Sequence, residues 1–373
     1  MSAYASRIDR LRGLFDEAGI DGILISQPES RFYLSGYTGH DLPPRDSAGY
    51  LMIGRSGSRL LTDPRTSEQA EQEAPDYEVV VYTHGARSTQ RMQESVEKLG
   101  ITKLGFESIH LPYGFWESFS EAVKEKGAEM VPVKDLIDRL RVTKDEAELR
   151  DLQAAVDVLD DCFMHLVRNE LRVGRTEKEI AVAVEQYLQS RGSSTSFPSI
   201  VASGPNASMP HAVPTDRRLQ EGEPITIDIG AKVNGYCSDM TRTVCLGTPS
   251  DKLREVHALV LDAQELAERE IKPGMTGKES DEIARQFLAS KGYGEQFSHG
   301  LGHGIGLEVH EPPWVSLRGE QKLAPGMVFS VEPGIYIPGW GGVRIEDLVV
   351  LEDGGARVLC RSPKALELVE VAV

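Results

Sequence analysis

The chain has 373 residues, with 41 lysines and arginines against 58 aspartates and glutamates, and therefore a net charge of −17. This length allows two domains with separate hydrophobic cores. The acidic balance, without a basic run, argues against nucleic acid or an anionic membrane as a partner. The sequence also lacks a stretch of 18 or more apolar residues that could span a bilayer.

The N-terminal third alternates between predicted helices and strands. It begins with an amphipathic helix near 6–18, which lacks the apolar core and cleavage pattern of a signal peptide. Further strands are predicted at 22–26, 51–53, 59–62, 77–82 and 104–107, and helices near 89–99 and 114–126. We therefore predict an α/β N-terminal domain over residues 1–137, and we find no cluster of metal-binding residue types in it.

The predicted domain boundary lies within residues 133–145, and a long helix over about 145–169 opens a second domain, residues 143–373. This domain contains an internal repeat: GRTEKEIAVAVEQYLQSRG from Gly174 aligns without gaps to GMTGKESDEIARQFLASKG from Gly274. Both copies predict an amphipathic helix that starts at a threonine and stops at a glycine. The repeat indicates two similar halves, although two capping patterns can also resemble each other by chance.

A β-hairpin is predicted around Asn234-Gly235, a strong two-residue turn between segments rich in β-formers. With this turn, Asp228 lies opposite Thr241, and Asp239 lies diagonally across from Asp228 on the same face. Diagonal neighbours are within side-chain reach of a shared ion. Taken alone, the two aspartates would equally fit a solvent-facing acidic pair.

Three later segments carry further metal-binding residue types. His303 is surrounded by glycines that let the backbone approach a bulky group, Glu332 follows an apolar run and precedes Pro333-Gly334, and Glu346 shares a strand face with Arg344. Four carboxylates and one imidazole would repel one another in space unless cations lay between them. Two divalent ions would neutralise the four carboxylates, which points to a two-metal hydrolase.

Five short motifs resemble those of the pita-bread metallopeptidases, the family of methionine aminopeptidase, aminopeptidase P and prolidase. In chain order they are IDIG, SDMTRT, SHGLGHGIGLEVHE, VEPG and GVRIED. The resemblance implies an α+β pita-bread (creatinase/aminopeptidase-like) catalytic domain, with an internal pseudo-twofold repeat and metals between its halves. The ligands it implies for two divalent ions are Asp228, Asp239, His303, Glu332 and Glu346, of which Asp239 and Glu346 would bridge. One imidazole, oxygen ligands and no thiolate favour manganese or cobalt, while iron and zinc stay possible.

The resemblance also implies roles for neighbouring residues. Glu332 would accept a proton from the attacking water as well as bind metal. His211 and His310 would bind the substrate carbonyl and stabilise the tetrahedral intermediate, and His299 would line the proline side of the cleft. Thr241 and Arg344 would orient the carboxylates through hydrogen bonds.

The large N-terminal domain and the three histidines favour cleavage of the bond before proline in proline-containing peptides. Between the two enzymes of this kind we favour an Xaa-Pro aminopeptidase, because Trp314 departs from the pattern of compact prolidases. An Xaa-Pro dipeptidase (prolidase) is the alternative. Several compact prolidases have an arginine four residues after the histidine matching His310. This chain has Trp314 there, although Arg318 could bind a carboxylate instead. A non-peptidase enzyme or a binding protein on the same fold is a further alternative.

Cellular location and assembly are also expectations. The four cysteines are far apart and show no CxxC spacing, which indicates reduced thiols in a cytoplasmic protein. The family resemblance implies a homodimer.

Overall fold

The computed structural model describes residues 3–41, 47–83 and 86–367. The chain divides into two compact units, Met1–Arg141 and Val142–Val373. The division falls inside the segment 133–145, in which the sequence predicts the boundary. Within the described ranges, no helix combines the length and the apolar character that crossing a bilayer requires.

The described part of the first unit forms a mixed sheet of six strands with helices around it. The strands are β1 (Gly22–Ile25), β2 (Tyr50–Gly54), β3 (Ser58–Thr62), β4 (Glu78–Val81), β5 (Lys103–Glu107) and β6 (Glu129–Val133), in the order β4-β3-β2-β1-β5-β6. The helices are α1 (Ala3–Arg12), α2 (Phe15–Ala18), α3 (Pro28–Ser35), α4 (Ser67–Glu73), α5 (Ala86–Leu99), α6 (Tyr113–Lys124) and α7 (Asp138–Arg141). β1 and β3 flank β2 in antiparallel pairs, whereas the other three pairs are parallel.

This unit differs from the sequence prediction in its N-terminal helix and in β6, and α3, α4 and α7 are not predicted either. The N-terminal helix, predicted as continuous, is interrupted at Gly13 and Leu14, and glycine is a poor residue for a helix interior. β6 is not among the strands predicted from the sequence, and it contains Pro132, which cannot donate to a sheet ladder. β6 lies at the edge of the sheet, where proline is tolerated.

The first half of the second unit consists of two helices packed on short strands. The helices are α8 (Glu146–His165) and α9 (Glu177–Ser190), and the strands are β7 (Ser194–Thr195), β8 (Ile200–Ser203), β9 (Ile225–Ile229), β10 (Ala231–Val233), β11 (Tyr236–Cys237) and β12 (Met240–Val244). Apolar side chains of both helices and of β8, β9 and β12 form one buried core.

The hairpin has the predicted register but not the predicted continuity. Asp228 pairs with Thr241, as the turn requires. The two strands are interrupted at Gly230 and at Asp239, so that β9 and β12 join β8 while β10 and β11 join β7. A Cβ atom at Gly230 would lie 2.0 Å from Ser196 Oγ and 2.4 Å from the Ser238 carbonyl oxygen, so only glycine fits at this interruption.

The second half also places two helices on strands. The helices are α10 (Asp251–Glu270) and α11 (Gly277–Ser290), and the strands are β13 (Gly302–Gly304), β14 (Glu311–Val315), β15 (Val328–Val331), β16 (Gly334–Ile337), β17 (Gly341–Arg344), β18 (Asp347–Glu352) and β19 (Gly355–Val358). β13, β14, β15, β18 and β19 form one sheet, while β16 pairs with β17. A second buried core joins α10 and α11 to β15 and β18.

The repeated segments form the two helices that the sequence predicts. α9 starts from a capping box between Thr176 and Glu179, and α11 starts from the equivalent box between Thr276 and Glu279. In such a box the threonine oxygen and the glutamate carboxylate satisfy backbone N–H groups that the helix leaves unpaired. The repeat therefore fixes the same helix start in both halves.

Candidate metal centre and substrate pocket

Three of the five predicted metal ligands lie within reach of a single ion. Suitable atoms of Asp239, His303 and Glu346 lie within 4.8 Å of one another, and all three residues are buried. They come from separate elements: Asp239 precedes β12, His303 is in β13 and Glu346 lies between β17 and β18. His303 Nε2 is also 3.3 Å from Glu332 Oε1, so a fourth predicted ligand joins the cluster.

Asp228, the fifth predicted ligand, joins the cluster through Arg344. Arg344 Nη2 donates to Asp228 Oδ2 at 2.6 Å, and Arg344 Nε donates to Thr241 Oγ1 at 3.0 Å. Thr241 Oγ1 in turn donates to Glu346 Oε2 at 2.7 Å. The two residues predicted to orient the carboxylates thus contact them directly, and they fix one oxygen of each.

The remaining carboxylate oxygens fit the predicted pair of divalent ions. Asp228 Oδ1, Asp239 Oδ1 and Glu346 Oε1 are buried without a hydrogen-bond partner, which is costly for a carboxylate unless a cation compensates. Burial raises the pKa of Asp239 and of Glu346 well above the usual range, and the neighbouring carboxylates add to this rise. Divalent ions would supply the missing partners, and carboxylate oxygens with one imidazole suit them.

His303 and Glu332 form a close pair within the cluster. Burial raises the pKa of Glu332, but the hydrogen bond and charge of His303 outweigh it and lower that pKa to about 2. Conversely, burial lowers the pKa of His303, and the contact with Glu332 reverses this and raises it. His303 Nδ1 lies 3.1 Å from the Gly304 carbonyl oxygen, which leaves Nε2 to face the carboxylates.

A pocket of about 520 Å³ opens onto the cluster and has room for a small ligand. The three histidines predicted to contact substrate line it, namely His211, His299 and His310. His211 and His310 are exposed, and the ring centroid of His310 lies 4.2 Å from that of His303. Apolar side chains, among them Phe197, Val213 and Trp314, form other parts of the lining.

His299 is connected to Arg344 through Tyr336. His299 Nε2 lies 2.9 Å from Tyr336 Oη, which accepts a hydrogen bond from Arg344 Nη1 at 2.8 Å. Burial lowers the pKa of His299, the charge of Glu332 opposes this change, and the positive charge of Arg344 adds to it.

Two polar residues of this site, Ser330 and Tyr336, are not predicted from the sequence. Ser330 Oγ accepts from the His303 backbone N–H and donates to Glu332 Oε1, both at 3.0 Å. Its position two residues before Glu332, on the same strand face, is the signal that could have identified it. Tyr336 is buried, and a buried tyrosine hydroxyl requires a partner, but only the pairing of β16 with β17 brings Arg344 to it.

The lining contains little that could bind a substrate carboxylate. Trp314 lines the pocket and is 48 % exposed. Arg318, which the sequence offers as a substitute cation, is exposed and lies outside the lining residues. Among the described residues that line the pocket, Arg344 is the single arginine or lysine, and its guanidinium is bound to Asp228 and Tyr336.

Comparison with known proteins covers nearly the whole chain. Residues 150–353 match the model for metallopeptidase family M24, and residues 7–143 match that for the creatinase/prolidase N-terminal domain. The chain is similar to the structure of an Xaa-Pro dipeptidase from Bacillus anthracis, with 42 % identity, a TM-score of 0.92 and coverage of 98 % of this chain and 99 % of that one. It is also similar to the structure of an X-Pro aminopeptidase from Thermotoga maritima MSB8, with 38 % identity, a TM-score of 0.86 and coverage of 96 % of this chain and 99 % of that one. An Xaa-Pro dipeptidase of Pyrococcus horikoshii is 36 % identical over 98 % of this chain and 100 % of its own.

Proposed function

Because the chain belongs to metallopeptidase family M24, we propose that it hydrolyses the peptide bond that precedes proline, with Xaa-Pro dipeptides as its substrates. The observation that carries this proposal is the buried cluster of carboxylates and His303 beneath a pocket lined by three histidines. The sequence favours the aminopeptidase. The names of the B. anthracis and P. horikoshii proteins support the dipeptidase instead.

Membership in a metallopeptidase family implies divalent metal ions. We assign their binding to Asp228, Asp239, His303, Glu332 and Glu346, and we propose manganese because oxygen ligands dominate this set. When bound, such ions polarise a carbonyl group and make water a strong nucleophile at neutral pH. Arg344 and Thr241 would hold Asp228 and Glu346 in the orientation that leaves one oxygen of each available.

Glu332 and two histidines would handle the proton and the developing charge. Glu332 is a buried carboxylate that contacts His303, and one of its oxygens can accept the proton of the attacking water. The same proton can then pass to the proline nitrogen, which must gain one to leave as a secondary amine. His310 and His211 would donate N–H bonds to the carbonyl oxygen, each contributing on the order of 3 kcal/mol. Partial loss of hydration and the neighbouring charge of His303 lower the pKa of His310.

Proline recognition would depend on the apolar part of the pocket. The proline nitrogen is part of the ring and carries no hydrogen in the peptide, so shape and apolar contact must select the substrate. In a dipeptide the proline also carries a carboxylate. Since the described lining offers no free arginine or lysine and both ring nitrogens of His299 already have partners, recognition of that group would fall to His211.

The same lining favours one second candidate, an Xaa-Pro aminopeptidase that acts on longer peptides. Trp314 provides an apolar surface at the pocket and no cation, which suits a continuing peptide chain better than a terminal carboxylate. The similarity to the T. maritima X-Pro aminopeptidase also supports this candidate.

One experiment tests both candidates. The purified protein is stripped with a chelator and reloaded with manganese, cobalt or zinc, and hydrolysis of Ala-Pro is compared with that of Ala-Pro-Ala. A higher kcat/KM for the dipeptide supports the dipeptidase, and a higher value for the tripeptide supports the aminopeptidase. Absence of turnover on both substrates, with metal bound, contradicts both.

Assembly and location complete the proposal. We propose a homodimer, on the family resemblance, and sedimentation equilibrium of the metal-loaded protein tests it. We also propose a cytoplasmic protein, because its four cysteines are free and three of them are buried.

A further inference from the structure

One irregular loop forms a large part of the pocket wall. This loop, residues 204–214 and here called the His211 loop, follows β8 and contributes Pro210–Pro214 to the lining. It has little apolar core of its own: Ala207 and Ala212 are buried, whereas Met209 is 51 % and Val213 is 79 % exposed. Segments with so few buried apolar contacts open easily, so polar contacts must hold this loop in place.

These contacts converge on Glu177, the first residue of α9, which is fully buried. Its Oε1 accepts from the backbone N–H of Ser203 at 2.7 Å, from Ser203 Oγ at 2.8 Å and from Asn206 Nδ2 at 3.1 Å. Its Oε2 accepts from the backbone N–H of Thr215 at 2.9 Å, from Thr215 Oγ1 at 2.6 Å and again from Asn206 Nδ2. One carboxylate thus joins both ends of the His211 loop.

The chemistry of this arrangement requires a carboxylate. A buried carboxylate without partners would be strongly unfavourable, yet both oxygens of Glu177 are occupied by donors, and the N-terminus of a helix favours negative charge. An amide in its place would keep one acceptor oxygen and direct N–H groups at donors. Helix α9 also binds the segment that follows the loop, because the Glu177 backbone N–H donates to the Arg217 carbonyl oxygen at 3.0 Å.

The far side of the loop is held by the metal-site network. Arg344 Nη1 donates to the Pro210 carbonyl oxygen at 3.3 Å, immediately before His211. Arg344 is the residue that also binds Asp228. His211 therefore lies between two fixed points, of which Glu177 is the one that lies outside the pocket lining.

The second half of the unit holds its own histidine segment in a similar way. Asp281 of α11 is fully buried, accepts from the Leu301 backbone N–H at 2.8 Å and binds Arg285 at 2.6 Å. Arg285 Nη2 donates to the His299 carbonyl oxygen at 2.6 Å. Each repeated helix thus directs one buried carboxylate at the backbone of a segment that carries a pocket histidine.

We infer that Glu177 is a positioning residue for substrate recognition: its carboxylate closes the His211 loop and thereby fixes His211 over the metal cluster. The inference rests on the proposed function, because it takes His211 to bind the substrate carbonyl. Glu177 makes no contact with substrate itself and acts through the loop.

The first test measures the loop without reference to activity. Glu177→Gln is compared with wild type by hydrogen exchange of the manganese-loaded protein. Glu179→Gln, in the same helix but in its exposed capping box, is the matched control. We expect at least ~10-fold faster exchange in residues 204–215 of Glu177→Gln alone, as local opening becomes easier. Exchange equal to that of wild type overturns the inference.

The second test asks whether Glu177 acts through His211. On the preferred Xaa-Pro substrate, we expect Glu177→Gln and His211→Ala each to lower kcat/KM by roughly 10-fold or more, with manganese content unchanged. In the double variant the losses should not add, because both changes remove the same positioned imidazole. Fully additive losses overturn the inference, whereas partial rescue of kcat/KM by Glu177→Asp supports it.

A milder variant tests the inference even if Glu177→Gln does not fold stably. Thr215→Val removes the hydroxyl that donates to Glu177 and accepts from Asn206 and from the Arg217 backbone N–H, but it keeps the backbone N–H bond to Glu177. It should therefore show the same pattern of exchange and kinetics at a smaller size. Failure of the proposed function looks different: wild type itself would not hydrolyse Xaa-Pro substrates, while the exchange measurement would still decide whether Glu177 closes the loop.

Discussion

The two halves of the second unit share a scaffold but differ in what the scaffold holds. α9 and α11 begin with the same capping box and end at equivalent positions, Ser190 and Ser290. The first half supplies two aspartates from its hairpin, and the second supplies His303 and two glutamates from separate strands. The two halves therefore share the start and length of these helices and differ in the residues that they bring to the centre.

This difference locates function in the loops and strand ends rather than in the repeated helices. The anchoring carboxylates are not at equivalent positions, since Glu177 is at the start of α9 and Asp281 lies one turn into α11. Position 277 is glycine, and a Cβ atom there would lie 2.0 Å from the Trp314 carbonyl oxygen. A glutamate at position 277 is therefore excluded by close backbone packing.

The largest expected effect comes from removing one ligand from each half. Asp228→Asn and Glu346→Gln should each lower kcat by more than about 100-fold, the upper range for residues that merely support a metal ligand. Both should also lower the bound manganese, measured by atomic emission after dialysis. Glu352→Gln, an exposed glutamate on β18, is the matched control. Full activity in either ligand variant contradicts a centre shared by the two halves.

The next largest effect is expected at Asp281, the buried carboxylate that holds the histidine segment of the second half. Asp281→Ala leaves the Arg285 guanidinium without its buried partner, and the free energy of unfolding should fall by about 3 kcal/mol. Asp281→Asn keeps an acceptor for the Leu301 N–H and should lose less. Urea unfolding of the two variants measures the difference. If Asp281→Ala lowers the free energy of unfolding by less than about 1 kcal/mol, Asp281 does not hold its segment in the way proposed for Glu177 in the first half.

The local features of the two halves are predicted well from the sequence. The hairpin register follows from Asn234-Gly235 and the helix starts follow from their capping boxes, because neighbouring residues determine both. The order of five short motifs identifies the family, which the comparisons confirm together with the pita-bread fold. All five predicted ligands lie together, although their roles stay predictions.

Long-range side-chain contacts could not be predicted in this way. Glu177 reads as an ordinary acidic residue in the first turn of a helix, and its partner Thr215 lies 38 residues later in an irregular segment. Neither periodicity nor spacing connects the two. Tyr336 was missed for the same reason, since its partner Arg344 meets it only when β16 and β17 pair.

A smaller, pH-dependent effect distinguishes α10 from α8. α10 buries His257, and burial lowers its pKa to about 4, whereas His165 of α8 is partly exposed. The unfolded chain binds this proton near pH 6.5 and the folded chain only near 4. The free energy of unfolding should therefore fall as the pH falls through this window, by about 2 kcal/mol between pH 7.5 and 5.

His257→Gln cannot titrate and should remove that part of the slope. Urea unfolding of wild type and variant at pH 5, 6 and 7.5 gives the difference between the two slopes. If the free energy of unfolding depends on pH equally in wild type and variant, His257 has the same pKa in the folded and unfolded chain. Burial in α10 would then have no effect on its titration.

The smallest effect should be identical in the two halves. Thr176→Ala and Thr276→Ala each remove the side-chain acceptor of a backbone N–H, that of Glu179 at 3.2 Å and that of Glu279 at 3.1 Å. Each loss should cost about 1 kcal/mol of the free energy of unfolding. Because the two boxes have the same residues and the same exposure, a common scaffold requires equal costs, and the double variant should lose their sum. A difference above about 0.5 kcal/mol would show that the tertiary setting of the two helices has diverged along with the residues they hold.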